Sequence, residues 1–146
     1  MATMTGIASA AAADNREDLA KLITRLTVSV LILFHTVSVL NGEQAIRDNL
    51  AMWGLPLGLA YTSVIFEGIG PIMVILGVYA RIGAWMMTFW MVMAFLLAHI
   101  TTGHIFQVNE VGFWRVESPF FFLSLSFVVA LQGAGRYGLN IGGRWN

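Results

Sequence analysis

A few ionisable side chains interrupt long apolar stretches of this sequence, at positions where they could do chemistry. The candidates are Glu67, His35, His99 and Glu117. A carboxyl group or an imidazole can relay protons or hydrogen-bond the headgroup of a ligand such as a quinone. Because an ionisable residue near the centre of a bilayer costs about 2.5–3.5 kcal/mol on insertion scales, such residues are candidates for function by default.

Glu67 is followed directly by a helix-breaking sequence that contains Gly68, Gly70 and Pro71. Because proline has no N–H, we expect a kink and a free backbone carbonyl at Glu67. The two glycines would let another helix or a ligand approach closely. A carboxylate is costly in hydrocarbon, so we expect an unpaired Glu67 to be neutral. Two interpretations stay open: a carboxyl group that binds a ligand or relays protons, and one that hydrogen-bonds a neighbouring helix for packing.

The two histidines lie in apolar stretches that would run in the same direction across a membrane. Two imidazoles in the outer half of a bundle can ligate a haem b between helices. His35 lies several residues deeper than His99, so their depths do not match and haem ligation is the less favoured hypothesis. We favour a hydrogen-bonded structural histidine, with a contact to Glu67 or to a quinone headgroup as the intermediate case. The sequence predicts no metal site.

Glu117 stands at the outer mouth of the fourth apolar stretch, two residues after Arg115. Residues two apart on a helix do not face each other, so a mutual ion pair would need a non-helical segment. Ser118 and Pro119 predict a helix start, with the serine as N-cap and the proline as the first helical residue. The favoured interpretation is a charged pair that anchors the chain at the membrane interface.

The elements that must position these side chains are membrane helices. The 146 residues are 58% hydrophobic and only 11% charged, whereas soluble domains carry roughly 25% charged residues. A membrane helix needs about 20 mostly apolar residues. The predicted spans are residues 22–40, 57–79, 82–102 and 113–132. Because helices satisfy their own backbone hydrogen bonds in lipid, we predict an all-α transmembrane four-helix bundle.

The spans define the organisation of the chain. Residues 1–20 are predicted to be a disordered or interfacial tail, residues 21–140 the transmembrane domain, and residues 141–146 a cytoplasmic tail. The loop at residues 41–54 is expected to contain a short amphipathic helix. By the positive-inside rule, six basic residues against two place both termini in the cytoplasm. The six are Arg16, Lys21, Arg25, Arg81, Arg136 and Arg144, and the two are Arg47 and Arg115.

Composition also excludes several functions. The chain has no cysteine, which rules out a disulfide scaffold, an iron–sulfur cluster and thiol catalysis. Its formal net charge of zero gives no electrostatic reason to bind nucleic acid. No phosphate-binding loop, dinucleotide fingerprint or nucleophile motif is present. Enzymatic activity would therefore need an added cofactor or a partner subunit, and whether the chain is itself an enzyme stays open.

The sequence from about Arg25 to Asn140 resembles the DoxX family of small four-helix membrane proteins. The resemblance rests on the order of RL at 25–26, LFH at 33–35, GLP at 54–56, EGIG at 67–70, ILG at 75–77 and GAGRYGLN at 133–140. The chain departs from the family, which commonly has glycine at Thr36, lysine at Val39 and aspartate at Asn140. Any contact that this lysine makes to a lipid headgroup or an anionic ligand would be lost here.

The resemblance implies a bacterial-type inner-membrane protein tied to redox metabolism. Some relatives are membrane subunits of quinone-linked thiosulfate oxidation, and others assemble with oxidative-stress enzymes. The favoured hypothesis is therefore a membrane subunit of a respiratory or redox complex, with the lipid bilayer and other redox subunits as partners and quinone as the candidate cofactor. The alternative is a non-enzymatic scaffold or assembly subunit. A haem b anchor and a small transporter are less favoured.

Overall fold

The computed structural model describes residues 4–41, 44–97 and 103–146. The helices are α1 (Met4–Asn41), α2 (Gln44–Met52), α3 (Gly70–Leu76), α4 (Ala80–Phe95) and α5 (Glu117–Gln132). A 3₁₀ turn at Leu57–Tyr61 and a π-helix at Val64–Ile69 precede α3. Further 3₁₀ turns lie at His104–Phe106 and Gly143–Trp145. The described residues contain two isolated bridges, Val78 with Ile141 and Val108 with Trp114, and otherwise consist of helices, turns and loops.

Four long elements form the bundle. The first is α1, and the second is the segment Leu57–Leu76, which we call the broken helix because it changes from 3₁₀ to π to α winding. The third and fourth are α4 and α5. Helix α1 packs against α3 and α5, and α4 packs against the same two, so the four elements close a ring. The predicted all-α four-helix bundle is confirmed, and the helix expected in the loop at residues 41–54 is α2.

A small apolar core lies at the centre of the ring. It is formed by Val28, Ile32, Val74, Ala84, Met87, Val129 and Ala130. Many larger apolar side chains point outward instead, including Phe34 at 71% exposed, Phe89 at 56% and Phe121 at 57%. Soluble monomers rarely expose so much contiguous apolar surface. A bilayer is the solvent that such an exterior requires.

The lengths of the helices fit this view. By length and composition, Asp14–Val37 and Leu57–Leu76 can each cross a membrane, while Ala80–Phe95 and Glu117–Gln132 are shorter apolar helices. The predicted third span extends to residue 102, and residues 98–102 lie outside the described part of the chain. Helix α1 begins at Met4, within the tail predicted to be disordered or interfacial. Alanine is the strongest helix former, and the run at residues 10–13 consists of alanine.

The fourth helix also begins elsewhere than predicted. It starts at Glu117, with Val116 as the N-cap residue and no side-chain cap, so the prediction of Ser118 as N-cap and Pro119 as first residue is wrong. Pro119 still lies in the first turn, where a missing N–H needs no partner. The predicted span starts at residue 113, whereas the helix begins four residues later. The residues before the helix form a tight turn, in which the Arg115 N–H donates to the Gln107 carbonyl at 3.0 Å.

One end of the bundle gathers both terminal segments. The Arg136 N–H donates to Asp18 Oδ1 at 3.2 Å, which joins the N-terminal half of α1 to the segment after α5. The N–H of Tyr79, between α3 and α4, donates to the Ile141 carbonyl at 2.8 Å. We call this region the basic end. It comprises the N-terminal part of α1 with Lys21 and Arg25, the turn at residues 77–79, Arg81 at the start of α4, and residues 133–146.

Candidate functional site

Glu67 lies in the π-helix Val64–Ile69, four residues before Pro71. A π-helix is a rare winding that is frequent at functional sites, and proline cannot donate to the preceding turn. The helix break expected at Gly68, Gly70 and Pro71 takes the form of this π-helix, followed by α3. The Glu67 side chain points into the bundle and is only 3% exposed.

The backbone carbonyl of Glu67 receives a hydrogen bond from α1. Thr36 Oγ1 lies 2.8 Å from the Glu67 carbonyl oxygen and 2.9 Å from the carbonyl oxygen of Ile32, one turn earlier in α1. A hydroxyl has one proton, so the two carbonyls share one donor. Because Pro71 has no N–H to offer, Thr36 supplies a donor from outside the helix.

The carboxyl group of Glu67 is held by α4. It accepts a hydrogen bond from the indole of Trp90. The Trp90 ring stacks on the ring of Phe66, with centroids 5.4 Å apart and 4° between the planes. Since the indole N–H is a donor only, it can orient the carboxyl group but cannot accept its proton. Glu67 is thus tied through its backbone to α1 and through its side chain to α4.

The His35 side chain packs against α5, whereas Glu67 contacts α1 and α4. Its ring lies 6.0 Å from the ring of Phe122 in α5, centroid to centroid. Successive residues on a helix point roughly 100° apart, so α1 presents Thr36 to Glu67 and turns His35 toward α5.

His99 lies outside the described residues, and the two-histidine haem hypothesis stays a prediction. The described residues contain no group of three or more His, Cys, Asp or Glu side chains that could hold a metal ion.

Glu117 is the first residue of α5 and is half-buried. Its neighbour Arg115 donates from Nη1 to Gln107 Oε1 at 3.2 Å, across the turn that precedes the helix. Arg115 is therefore engaged with Gln107. An acidic side chain in the first turn interacts favourably with the helix dipole. Both residues lie at the end of the bundle opposite the basic end, apart from the cluster around Glu67.

Thr36 and Trp90 were not predicted as partners of Glu67 from the sequence. For Trp90, a count of residues along the helices would have indicated the contact, because it places Trp90 and Glu67 at the same depth in the bundle. Glu67 precedes the end of α3 by nine residues, and Trp90 follows the start of α4 by ten. At 1.5 Å per residue both lie roughly 14–15 Å from the basic end. Two buried hydroxyls, Ser29 and Ser126, were also missed; neither Oγ has a hydrogen-bond partner in the described part of the chain.

The arrangement around Glu67 is a buried carboxyl group with one oriented donor, set at a break in a membrane helix. Such a group can hold or release a proton and can hydrogen-bond a carbonyl oxygen of a ligand. The fold and this cluster define a helical membrane protein whose bundle carries an ionisable group in its interior.

Comparison with known proteins identifies the family. The DoxX family model matches residues 20–100, more than half of the 146-residue chain. The chain therefore belongs to the DoxX family. The matched range covers the apolar part of α1, the broken helix and α4, and it ends before α5 and residues 133–146. The comparisons with curated proteins and with solved structures found no match.

Proposed function

We propose that this DoxX family member is a membrane subunit of a redox complex and that Glu67 binds the headgroup of a quinone. The observation that carries the proposal is the position of Glu67, which is 3% exposed in a π-helix at the middle of the broken helix. Ionisable residues inside membrane bundles generally mark ligand or proton pathways. Redox roles among relatives, implied by the family resemblance, favour a quinone over other ligands.

The chemistry of the site would be proton delivery. A protonated Glu67 donates to a quinone carbonyl oxygen and gives up its proton as that oxygen is reduced. The Trp90 N–H then stabilises the carboxylate that remains. The electrons come from a partner subunit. We further propose that the basic end faces the cytoplasm of a bacterial-type inner membrane, since basic residues are retained on that side.

The test is quinone retention by the Glu67→Leu variant, because leucine has an apolar side chain of similar size and no hydrogen-bond donor. The protein is purified from its source membrane in mild detergent, extracted with organic solvent and assayed for quinone by mass spectrometry. We expect quinone per protein to fall about tenfold, the loss of one strong hydrogen bond. Glu110→Leu, in the exposed turn before α5, is the matched control and should retain the wild-type amount. Equal quinone in the wild type and in Glu67→Leu would contradict the proposal.

A second candidate function is a non-enzymatic assembly subunit. Two observations favour it: the Glu67 carboxyl and carbonyl groups both have partners within the chain, and the turn before α5 exposes large apolar side chains. Phe106 is 92% exposed, Val111 78% and Phe113 58%. Co-purifying subunits without quinone would support this function. A chain that leaves the membrane alone in gentle detergent would contradict both proposals.

A further inference from the structure

A cavity of 520 Å³ lies at the basic end, where α4 begins and α5 ends. It is lined by Arg81, Trp85, Ala130, Leu131, Arg144 and Trp145. Arg81 is the second residue of α4, and Leu131 is the next-to-last residue of α5. The cavity therefore sits where two neighbouring helices leave the apolar layer of the membrane.

The lining carries two positive charges that face the same space. Arg81 Nε is buried and has no hydrogen-bond partner among the described residues. The guanidinium carbon of Arg144 lies 5.2 Å from the ring centre of Trp145. The ion pair found in the described part of the chain, Lys21 with Glu17 at 2.7 Å, involves neither arginine. An arginine fork matches the oxygens of a phosphate, so these two groups favour a phosphate-bearing anion.

Gly133 preserves the space around Arg81. A Cβ atom at Gly133 would lie 3.0 Å from Arg81 Nε and 2.4 Å from the backbone oxygen of Asn146. Any larger residue would therefore push the Arg81 guanidinium or the backbone of Asn146 out of place. Glycine at this position keeps Arg81 Nε beside the cavity.

The remaining lining is apolar and open to the side of the bundle. Trp85 is 45% exposed, Leu131 56% and Trp145 47%. The ring of Trp85 contacts the ring of Phe127 edge-on, with centroids 5.6 Å apart, so the apolar surface continues along α5 away from the basic end. Tryptophan is enriched at the headgroup level of membranes. The cavity thus combines a charged mouth with an apolar wall that leads into the hydrocarbon.

We propose that this cavity binds an anionic phospholipid, with its phosphate between Arg81 and Arg144 and an acyl chain along Trp85 and Leu131. Basic pockets between membrane helices take headgroups of this kind. A free phosphate would use the two arginines and leave the apolar wall uncovered, which is why the lipid is the better fit. The site is separate from Glu67 and does not depend on the function proposed for that residue.

The test is native mass spectrometry of the full-length chain in detergent, titrated with phosphatidylglycerol and, separately, with phosphatidylcholine. We expect phosphatidylglycerol to bind more tightly than phosphatidylcholine. The Arg81→Gln/Arg144→Gln double variant should lose about tenfold in affinity for phosphatidylglycerol, since two charge-assisted contacts are removed. Arg115→Gln, at the opposite end of the bundle, is the matched control and should bind as the wild type does.

Other arms keep the proposal falsifiable if the double variant fails to fold. Arg144→Gln alone changes an exposed residue and should still weaken phosphatidylglycerol binding severalfold. Excess inorganic phosphate should leave the bound lipid largely in place. Equal binding of the two lipids by the wild type, unchanged affinity in Arg144→Gln, or displacement of the lipid by inorganic phosphate would each overturn the proposal.

Discussion

The carbonyl group of Glu67 shows how a defect in one helix is corrected by a side chain of another. Pro71 has no N–H to donate to the Glu67 carbonyl. The hydroxyl of Thr36 in α1 donates to that carbonyl oxygen instead, with 2.8 Å between the two oxygens. An unsatisfied carbonyl in a membrane interior is costly, because no water is present to replace the donor. The donor for this carbonyl group therefore depends on the hydroxyl of a single side chain, Thr36.

We predict that Thr36→Val lowers the free energy of unfolding by about 1–2 kcal/mol, because valine keeps the shape and loses the donor. Thermal unfolding in detergent measures the effect. Thr88→Val is the matched control: Thr88 is also buried, but its hydroxyl donates to the Ala84 carbonyl of its own helix, at 2.8 Å. A loss in Thr88→Val as large as that in Thr36→Val would show that the interhelical bond has no special weight.

The sequence allowed prediction of the helix break and of a free backbone carbonyl at Glu67, but not of the partners of that residue. The reason is the rotation of α1 about its own axis. Phe34 and Val37 beside Thr36 are exposed to lipid and Ile32 is buried, yet all are apolar. A helix without a polar face gives no signal for which side turns inward. Packing against α3 and α5 decides that Thr36 faces Glu67 and that His35 faces Phe122.

At the scale of helices, the broken helix and α4 meet backbone to backbone. A Cβ atom at Gly83 would lie 2.6 Å from the Gly70 carbonyl oxygen, and one at Gly70 would lie 3.0 Å from the Gly83 carbonyl oxygen. Small residues permit this approach in membrane bundles. The sequence predicted close approach at both Gly68 and Gly70. A Cβ at Gly68 would meet only Val64 of the same segment, at 3.8 Å, so that glycine serves no helix contact among the described residues.

We predict that Gly83→Ala destabilises the bundle by about 1–3 kcal/mol, because a methyl group would collide with the backbone of the broken helix. Gly68→Ala is the control. It should be neutral or stabilising, since alanine is the better helix former by about 1 kcal/mol. Chemical unfolding of both variants in detergent compares them directly. A stable Gly83→Ala protein would mean that the two helices separate without cost.

The ends of the helices were harder to predict than their existence. The start of α5 is set by the turn before it, in which Asn109 Oδ1 accepts hydrogen bonds from the N–H groups of Val111 at 3.1 Å and Phe113 at 2.9 Å. These bonds compete with helical winding for the same residues. The hydropathy pattern shows only that Phe113 and Trp114 are apolar, and it therefore places them in the predicted span.

At the scale of the whole molecule, the basic end is closed by residues 133–146 lying over Arg25. This arginine is only 2% exposed, and its Nη2 donates to the Tyr137 carbonyl. A Cβ atom at Gly77 would lie 2.8 Å from Arg25 Nη1 and 2.5 Å from the Cα of Gly138. The first helix, the turn before α4 and the closing segment therefore meet at one guanidinium group.

We predict that Arg25→Gln loosens residues 133–146, because glutamine cannot span the distance to the Tyr137 carbonyl. Hydrogen exchange should then rise severalfold across this segment and little elsewhere. Arg136→Gln is the control, since that side chain is exposed and donates from Nη1 to Asn15 Oδ1 at 3.0 Å, at the surface. Protection in Arg25→Gln equal to that of the wild type would show that the segment is held by its backbone bonds alone.

The orientation proposed for the bundle can be tested because the chain contains no cysteine. A single introduced thiol is then the only target for a maleimide reagent. With the basic end in the cytoplasm, Glu110→Cys should be labelled by an impermeant maleimide in intact cells, and Arg136→Cys only after permeabilisation. The opposite pattern would place the basic end outside.

The cover over Arg25 also dictates an order of assembly. The ribosome synthesises Arg25 as part of the first helix. Tyr137 and Gly138, which cover this arginine, leave the ribosome only after α5 has been synthesised. Until then Arg25 lacks the contact with the Tyr137 carbonyl that covers it in the folded protein. The basic end therefore cannot be completed before α5 has been synthesised.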